Sequence, residues 1–188
     1  MKHAFTQNIE TDRLVLRRFE QGDAQAMFTN WASDGEVTKY LMWPAHQSAA
    51  ASEIILRDWL SQYEKPDYYQ WAIVPRETME PVGSIGVVQI NEGARFMHVG
   101  YCIGRKHWGK GLMTEAFSAV IAFLFRETDV NRVEARHDPR NPASGRVMQK
   151  CGMTYEGTLR SADHNNQGIC DAAYYGILRS EWEKMNRA

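Results

Sequence analysis

Residues Val99 to Glu115 read Val-Gly-Tyr-Cys-Ile-Gly-Arg-Lys-His-Trp-Gly-Lys-Gly-Leu-Met-Thr-Glu. They predict a strand, a turn punctuated by Gly109 and Gly111, and the first turn of a helix. That helix is expected over Gly111 to Arg126. Leu112, Ala116, Val120 and Leu124 recur every fourth residue, and Phe117, Ile121 and Phe125 widen the stripe. A helix this apolar packs against a sheet, so the chain is constrained to an α/β fold. The glycines leave the backbone bare where the helix opens. Unpaired N–H groups and a partial positive charge there accept an anion. Arg105, Lys106 and Lys110 add basic charge to the same turn.

The rest of the chain reads as short alternating elements. Strands are expected at Arg13–Arg17, Trp71–Val74, Val82–Ile90, Phe96–Ile103 and Val130–Arg136, and two more at Met153–Thr158 and Ala173–Leu178. Asn91-Glu92-Gly93 signals a hairpin. Helices are expected after Asp23, over about residues 34–41, after Ser48 or Ser52, and from Asn141 or Ser144 to Cys151 with Gly152 as the stop. Ser180, with Glu183 completing a capping box, is expected to open a tail helix. No repeat, linker or low-complexity segment interrupts the order, so residues 1–188 are read as a single domain.

A formal net charge of −1 leaves no electrostatic footprint for nucleic acid or an anionic membrane. The apolar run Val120 to Phe125 is far too short to cross a bilayer, and the N-terminus lacks an apolar signal core. Cys102, Cys151 and Cys170 fit free thiols in a cytoplasmic protein better than a disulfide frame. The six histidines show no metal-ligand spacing, and no metal is expected. A monomer and a homodimer both remain open.

Two phosphate loops are tested and fail. Gly104 and Gly109-Lys110 supply the spacing of a P-loop, but Gly111 stands where its hydroxyl residue belongs. The dinucleotide fingerprint fails because position 114 is Thr. Lys106-x-x-Gly109-x-Gly111 after a Gly-Tyr strand instead resembles the pyrophosphate loop of the GCN5-related N-acetyltransferases, usually written Gln/Arg-x-x-Gly-x-Gly/Ala. Asp138-Pro-Arg-Asn-Pro-Ala-Ser144 and Lys150-Cys-Gly-Met-Thr-Tyr-Glu-Gly157 resemble the second half of the same superfamily. Thr11-Asp-Arg-Leu-Val-Leu-Arg-Arg-Phe19 is similar to the opening of its ribosomal-protein N-terminal acetyltransferase (RimJ/RimL-like) branch. Lys106 departs from the usual Gln or Arg, which a loop that binds through backbone N–H groups tolerates.

The resemblance implies the acetyltransferase fold, a mixed and mostly antiparallel twisted sheet flanked by helices with splayed central strands. It also implies acetyl-CoA as cofactor. Tyr101, Cys102 and Ile103 would line the wedge that takes the pantetheine arm. Backbone amides of His107, Trp108, Gly109, Lys110, Gly111 and Leu112 would hold the pyrophosphate, with Met113 and Thr114 completing the site. Asn141 matches the asparagine that bonds the pantetheine arm, and Ser144 the hydroxyl proposed to protonate the leaving thiolate. The implied reaction is direct acetyl transfer to a primary amine, foremost the N-terminal α-amine of a protein or peptide. The alternatives are a small-molecule amine (a polyamine, amino acid or antibiotic) and a non-catalytic acyl-CoA-binding module.

The candidate bases are His98, two residues before Gly100 where relatives often carry Glu, and Asp163, where relatives place an acidic residue near the amine. His98 reads equally as a solvated strand residue, Asp163 as a surface carboxylate and Ser144 as a helix cap. A backbone N–H beside Cys102 or Ile103 is expected to polarise the thioester carbonyl. Cys102 itself sits mid-strand with no histidine constellation, so a covalent acyl-enzyme is not expected. Tyr68, Tyr69, Trp71, Trp31, Tyr40 and Trp43 are expected mostly in the core, some of them lining an acceptor cleft with Met42.

Overall fold

The computed structural model describes residues 1–186. Eight strands form one sheet: β1 (Ile9–Glu10), β2 (Leu14–Arg17), β3 (Gln70–Pro75), β4 (Gly83–Asn91), β5 (Phe96–Ile103), β6 (Arg132–His137), β7 (Thr154–Asn165) and β8 (Gly168–Leu178). They lie in the order β1-β2-β3-β4-β5-β6-β8-β7. Every neighbouring pair is antiparallel except β5 and β6.

Side-chain alternation sends each strand's residues to two cores. Trp71 and Ile73 of β3 join Leu14 and Leu16 on the face covered by α4 (Leu112–Glu127), while Ala72 and Val74 face a second cluster. That second cluster is built on α1 (Ala24–Met27), which widens into a π turn over Phe28–Ala32, on α2 (Gly35–Thr38) and on α3 (Ala49–Gln62). The predicted stripe of α4 is buried along its length, from Leu112 to Phe125. Burial of that size, at roughly 1.5–3 kcal/mol per large side chain, outweighs any helix propensity of the sequence. The turn into α4 and the wedge beside β5 are therefore held by the largest core in the molecule.

Three expectations need correction. The last two strands are 12 and 11 residues long and form one hairpin, well beyond Met153–Thr158 and Ala173–Leu178. Their outer halves carry Asp163, His164, Asn165 and Gly168, and the exposed edge strand β7 imposes no apolar alternation that a sequence pattern would reveal. Pairing of β7 with β8 is broken by extra residues at Glu156 and over Arg160–Ala162. The tail helix α6 (Arg179–Met185) opens at Leu178, not Ser180, because Glu181 accepts the Leu178 N–H at 2.8 Å. Arg179 fixes that start by donating to the carbonyls of Phe125, Thr128 and Val130. Asp23 stands before α1 without capping it. Its carboxylate turns back to Arg17, at 2.7 and 2.9 Å, and to the Glu20 N–H. Ser48, in contrast, caps α3 by accepting from Ala51.

Candidate active site

β5 stays paired with β4 from Phe96 to Ile103, but with β6 only at Phe96, Met97 and His98. Beyond His98 the two strands part. Gly104 N–H bonds Val82 O on the β4 side, at 2.8 Å. Alternation along a strand then turns the backbone groups of Cys102 toward β4 and those of Tyr101 and Ile103 into the opening. The exposed N–H beside the expected reaction point is therefore that of Ile103 or Tyr101. The Ile103 carbonyl is taken by the Trp108 indole at 2.8 Å, which folds the turn against the end of the strand.

The turn leads to a groove of about 290 Å³. Gly109 and Gly111 adopt left-handed φ values of +74° and +78°. A side chain at either position would strain the backbone there. The N–H groups of Gly109, Lys110 and Gly111 have no partner among the described residues, as a phosphate cradle requires. Those of His107 and Trp108 are spent on Gly104 and Arg105, which removes two of the amides expected to bind. Leu112, Met113 and Thr114 line the groove floor. Arg146 and Lys150, one helical turn apart on α5 (Pro142–Lys150), line the opposite flank with His107, and no carboxylate lines this groove. Burial, and then the neighbouring Lys110 and Lys106, lower the His107 pKa.

Sequence reasoning missed the flank of Arg146 and Lys150, although their i, i+4 spacing after Asn141 was a readable signal. It also missed what holds the loop. Glu115 accepts from the Thr11 hydroxyl (2.6 Å), the Arg13 N–H (2.9 Å) and Arg13 Nε (2.7 Å), while Arg13 Nη1 donates to the Lys110 carbonyl (3.0 Å). Burial pushes the Glu115 carboxyl up, but these hydrogen bonds outweigh it and hold it below its ordinary value. A link of about a hundred residues in sequence carries no local pattern, so only the fold reveals it.

A second, larger cavity of about 650 Å³ adjoins the groove. Tyr40, Leu41, Tyr101, Cys102, Asn141 and Ser144 bound both. Asn141 stands at the start of α5, yet its side chain caps nothing and has no partner among the described residues. Ser144 Oγ lies 2.9 Å from the Tyr101 hydroxyl, which also donates to the Ser144 carbonyl at 3.1 Å. Burial pushes the Tyr101 pKa far up, so it stays a phenol. Burial likewise raises Cys102, whose thiol lies 3.4 Å from Ser84 Oγ, so it is no ready nucleophile.

His98 and Asp163 both line the larger cavity. His98 is 4% exposed, not a solvated strand residue. Its Nδ1 lies 3.1 Å from Glu134, whose other oxygen accepts from Arg132 at 2.8 Å. The hydrogen bond from His98, with Arg132 beside it, holds Glu134 below the usual carboxylate range. Glu134 accepts from Nδ1, which fixes the ring and leaves Nε2 as the nitrogen turned away from that pair. Nε2 has no hydrogen-bond partner among the described residues and is not sealed from solvent. Glu156 grips the far side of Arg132 through two bonds of 2.6 and 2.5 Å. Asp163 is ion-paired with Arg136 at 2.5 Å. Burial pushes its pKa up, but the bonds from Arg136 and the His164 N–H prevail and lower it. Trp31, Tyr69 and Trp71 are core residues, whereas Tyr40, Trp43, Tyr68 and Met42 line the cavity.

The splayed strand pair, the amide-lined turn at a helix start and the junction with a second chamber agree with the acyl-CoA site that the sequence resemblance implies. The model of the Acetyltransferase (GNAT) domain family matches residues 13–154. The chain belongs to that family and is an acetyl-CoA-dependent N-acetyltransferase. It is 31% identical to the uncharacterized N-acetyltransferase YoaA of Bacillus subtilis (strain 168), over 91% of this chain and 96% of that one. It is 25% identical to the [ribosomal protein uS5]-alanine N-acetyltransferase of Escherichia coli (strain K12), over 79% of each. Its fold matches that of RimL, a ribosomal L7/L12 α-N-protein acetyltransferase solved in complex with coenzyme A. The TM-score is 0.81 at 19% identity, covering 92% of this chain and 98% of that one. No helix among the described residues is long and apolar enough to cross a membrane.

Proposed function

We propose that this chain acetylates the N-terminal α-amine of a protein or peptide by direct attack in a ternary complex. The observation that carries the reading is the shared boundary: Tyr101, Cys102, Asn141 and Ser144 face both the cationic groove and the larger cavity. An amine delivered through one chamber meets an acyl group delivered through the other. The likeness to the uS5-alanine enzyme supports a chain terminus as acceptor. The cavity's limited size, about 650 Å³, favours a small-molecule amine as the second reading.

The residues present fit acetyl-CoA. The free amides of Gly109, Lys110 and Gly111 take the diphosphate, with Arg146 and Lys150 beside them. The opened edge of β5 and the side-chain amide of Asn141 take the pantetheine arm. Bound acetyl-CoA supplies an acetyl group already activated as a thioester. The N–H of Ile103 or Tyr101 polarises the carbonyl. His98 Nε2 accepts the proton released by the incoming ammonium, whose ordinary pKa is about 8. Ser144 would pass its hydroxyl proton to the departing sulfur while taking one from solvent in the open chamber, and the Tyr101 hydroxyl beside it would orient it. Asp163 orients Arg136 and is a poor base.

Peptides with a free α-amine should be acetylated at least about ten times faster than blocked peptides offering only a lysine ε-amine, read by mass shift. Modification of ε-amines alone, or no uptake of CoA by calorimetry, sinks the reading. In the same assay His98→Gln should lower the rate and flatten the basic rise of the pH–rate profile, while Asp163→Asn leaves that rise in place. Identical profiles for His98→Gln and the parent would remove His98 as the base.

A further inference from the structure

We infer that the acceptor carries its amine on an apolar, anion-free body: aromatic or aliphatic groups next to the amine, and no carboxylate or phosphate within reach of it. The inference rests on the larger cavity being the acceptor's chamber, and it concerns what that chamber admits.

The two chambers carry opposite charge. The groove presents His107, Arg146 and Lys150 and no carboxylate, as a phosphate-bearing ligand needs. The larger cavity is lined by three carboxylates, Asp58, Asp138 and Asp163, and by one guanidinium, Arg136. That guanidinium is already ion-paired, with Nε on one oxygen of Asp163 at 2.5 Å and Nη2 on the other at 3.3 Å. Asp138 is held by Arg140 and Asn165. Asp58, exposed on α3, has no arginine or lysine partner among the described residues. Beyond Arg136 the basic groups of the lining are the imidazoles of His46, His98, His137 and His164, so an anion entering this chamber finds no unpaired arginine or lysine among the described residues. An ammonium meets Asp58 on the way in.

The walls argue the same way. Tyr40, Trp43, Trp59 and Tyr68 line the interior. Val88 (66% exposed), Met42 (57%) and Ile55 (39%) stand open to solvent in the lining beside Asp58 and His164, so much of the surface an approaching molecule meets is apolar. Val88 is pushed out by the bulge that separates Val87 from Gln89 in the β4–β5 pairing. On one side the chamber is closed by Asn166 at the tip of the β7–β8 hairpin. Its N–H bonds the Leu41 carbonyl at 3.1 Å, and its side chain bonds those of Thr38 and Trp43 at 2.8 Å each. This strap joins the 38–43 segment to the hairpin, so a broad polar surface has no access from that side.

The test uses matched pairs that differ by one anion. Phenethylamine and phenylalanine share a body, and the second adds a carboxylate. Two hexapeptides with free N-terminal Ala carry Phe or Asp at the second position. Acetylation kcat/KM is expected to favour phenethylamine, and the Phe peptide, by at least about tenfold within each pair. Trp59→Ala should erode the preference for Phe, with CoA affinity by calorimetry unchanged as evidence that the fold persists. Equal or better use of the anionic member in both pairs overturns the inference. Rejection of both peptides, with phenethylamine still preferred over phenylalanine, upholds it while overturning the chain-terminus reading above.

Discussion

Ser144→Ala should lower kcat by about a hundredfold, within the usual contribution of one positioned acid, while CoA affinity stays within a few-fold of the parent. The side chain removed is a hydroxyl at the meeting point of the two chambers, 2.9 Å from the Tyr101 phenol. It contributes little to stability, because Ser144 caps nothing: Asn141 occupies the cap position and the tyrosine still reaches the backbone carbonyl. Tyr101→Phe should fall between the two, since it frees the serine without deleting it. Steady-state kinetics paired with calorimetric CoA titration checks both. A Ser144→Ala enzyme with kcat within about threefold of the parent would show that water protonates the leaving thiolate.

Arg13→Ala should weaken CoA binding by about tenfold, the value of one or two hydrogen bonds to a charged group. Arg13 touches no expected ligand atom and acts at one remove. Among the described residues it is the only side chain bonded to the Lys110 carbonyl, and through Glu115 it ties that turn to α4. Without it the three free amides of the turn lose their common direction, and CoA must order them at its own expense. Kd should rise with kcat at saturating acetyl-CoA nearly unchanged, and Arg13→Lys should recover part of the loss by keeping the charge near Glu115. An unchanged Kd for Arg13→Ala would mean that the glycine turn is rigid by itself.

What the sequence made legible follows from where tertiary structure constrains local pattern. The α4 stripe and the glycine turn were readable because each obeys a local rule, a 3.6-residue period and a left-handed φ. The wedge was readable only through the family resemblance, since no local pattern marks where β5 leaves β6. The β7–β8 hairpin was read too short because its exposed half follows no apolar alternation. Asn166 and Arg13 were passed over for a shared reason. Each acts on carbonyls or a carboxylate roughly a hundred residues away in sequence, and polar side chains advertise no distant partner. His98 shows the converse. Position alone left it between base and solvated residue, while the fold buries it and sets the half-buried Glu134 carboxylate against its ring.

The two interruptions in the pairing of β7 have a consequence for how the molecule behaves in a crowded solution. A 12-residue outer strand would ordinarily offer its neighbours a long row of open amides and carbonyls, the template from which fibrils grow. Extra residues at Glu156 and over Arg160–Ala162 break that row into short lengths, and the charges among them discourage a second copy from zipping on. The long outer edge is thereby cut into short lengths, while the open edge of β5 lies recessed in the wedge where β6 leaves it.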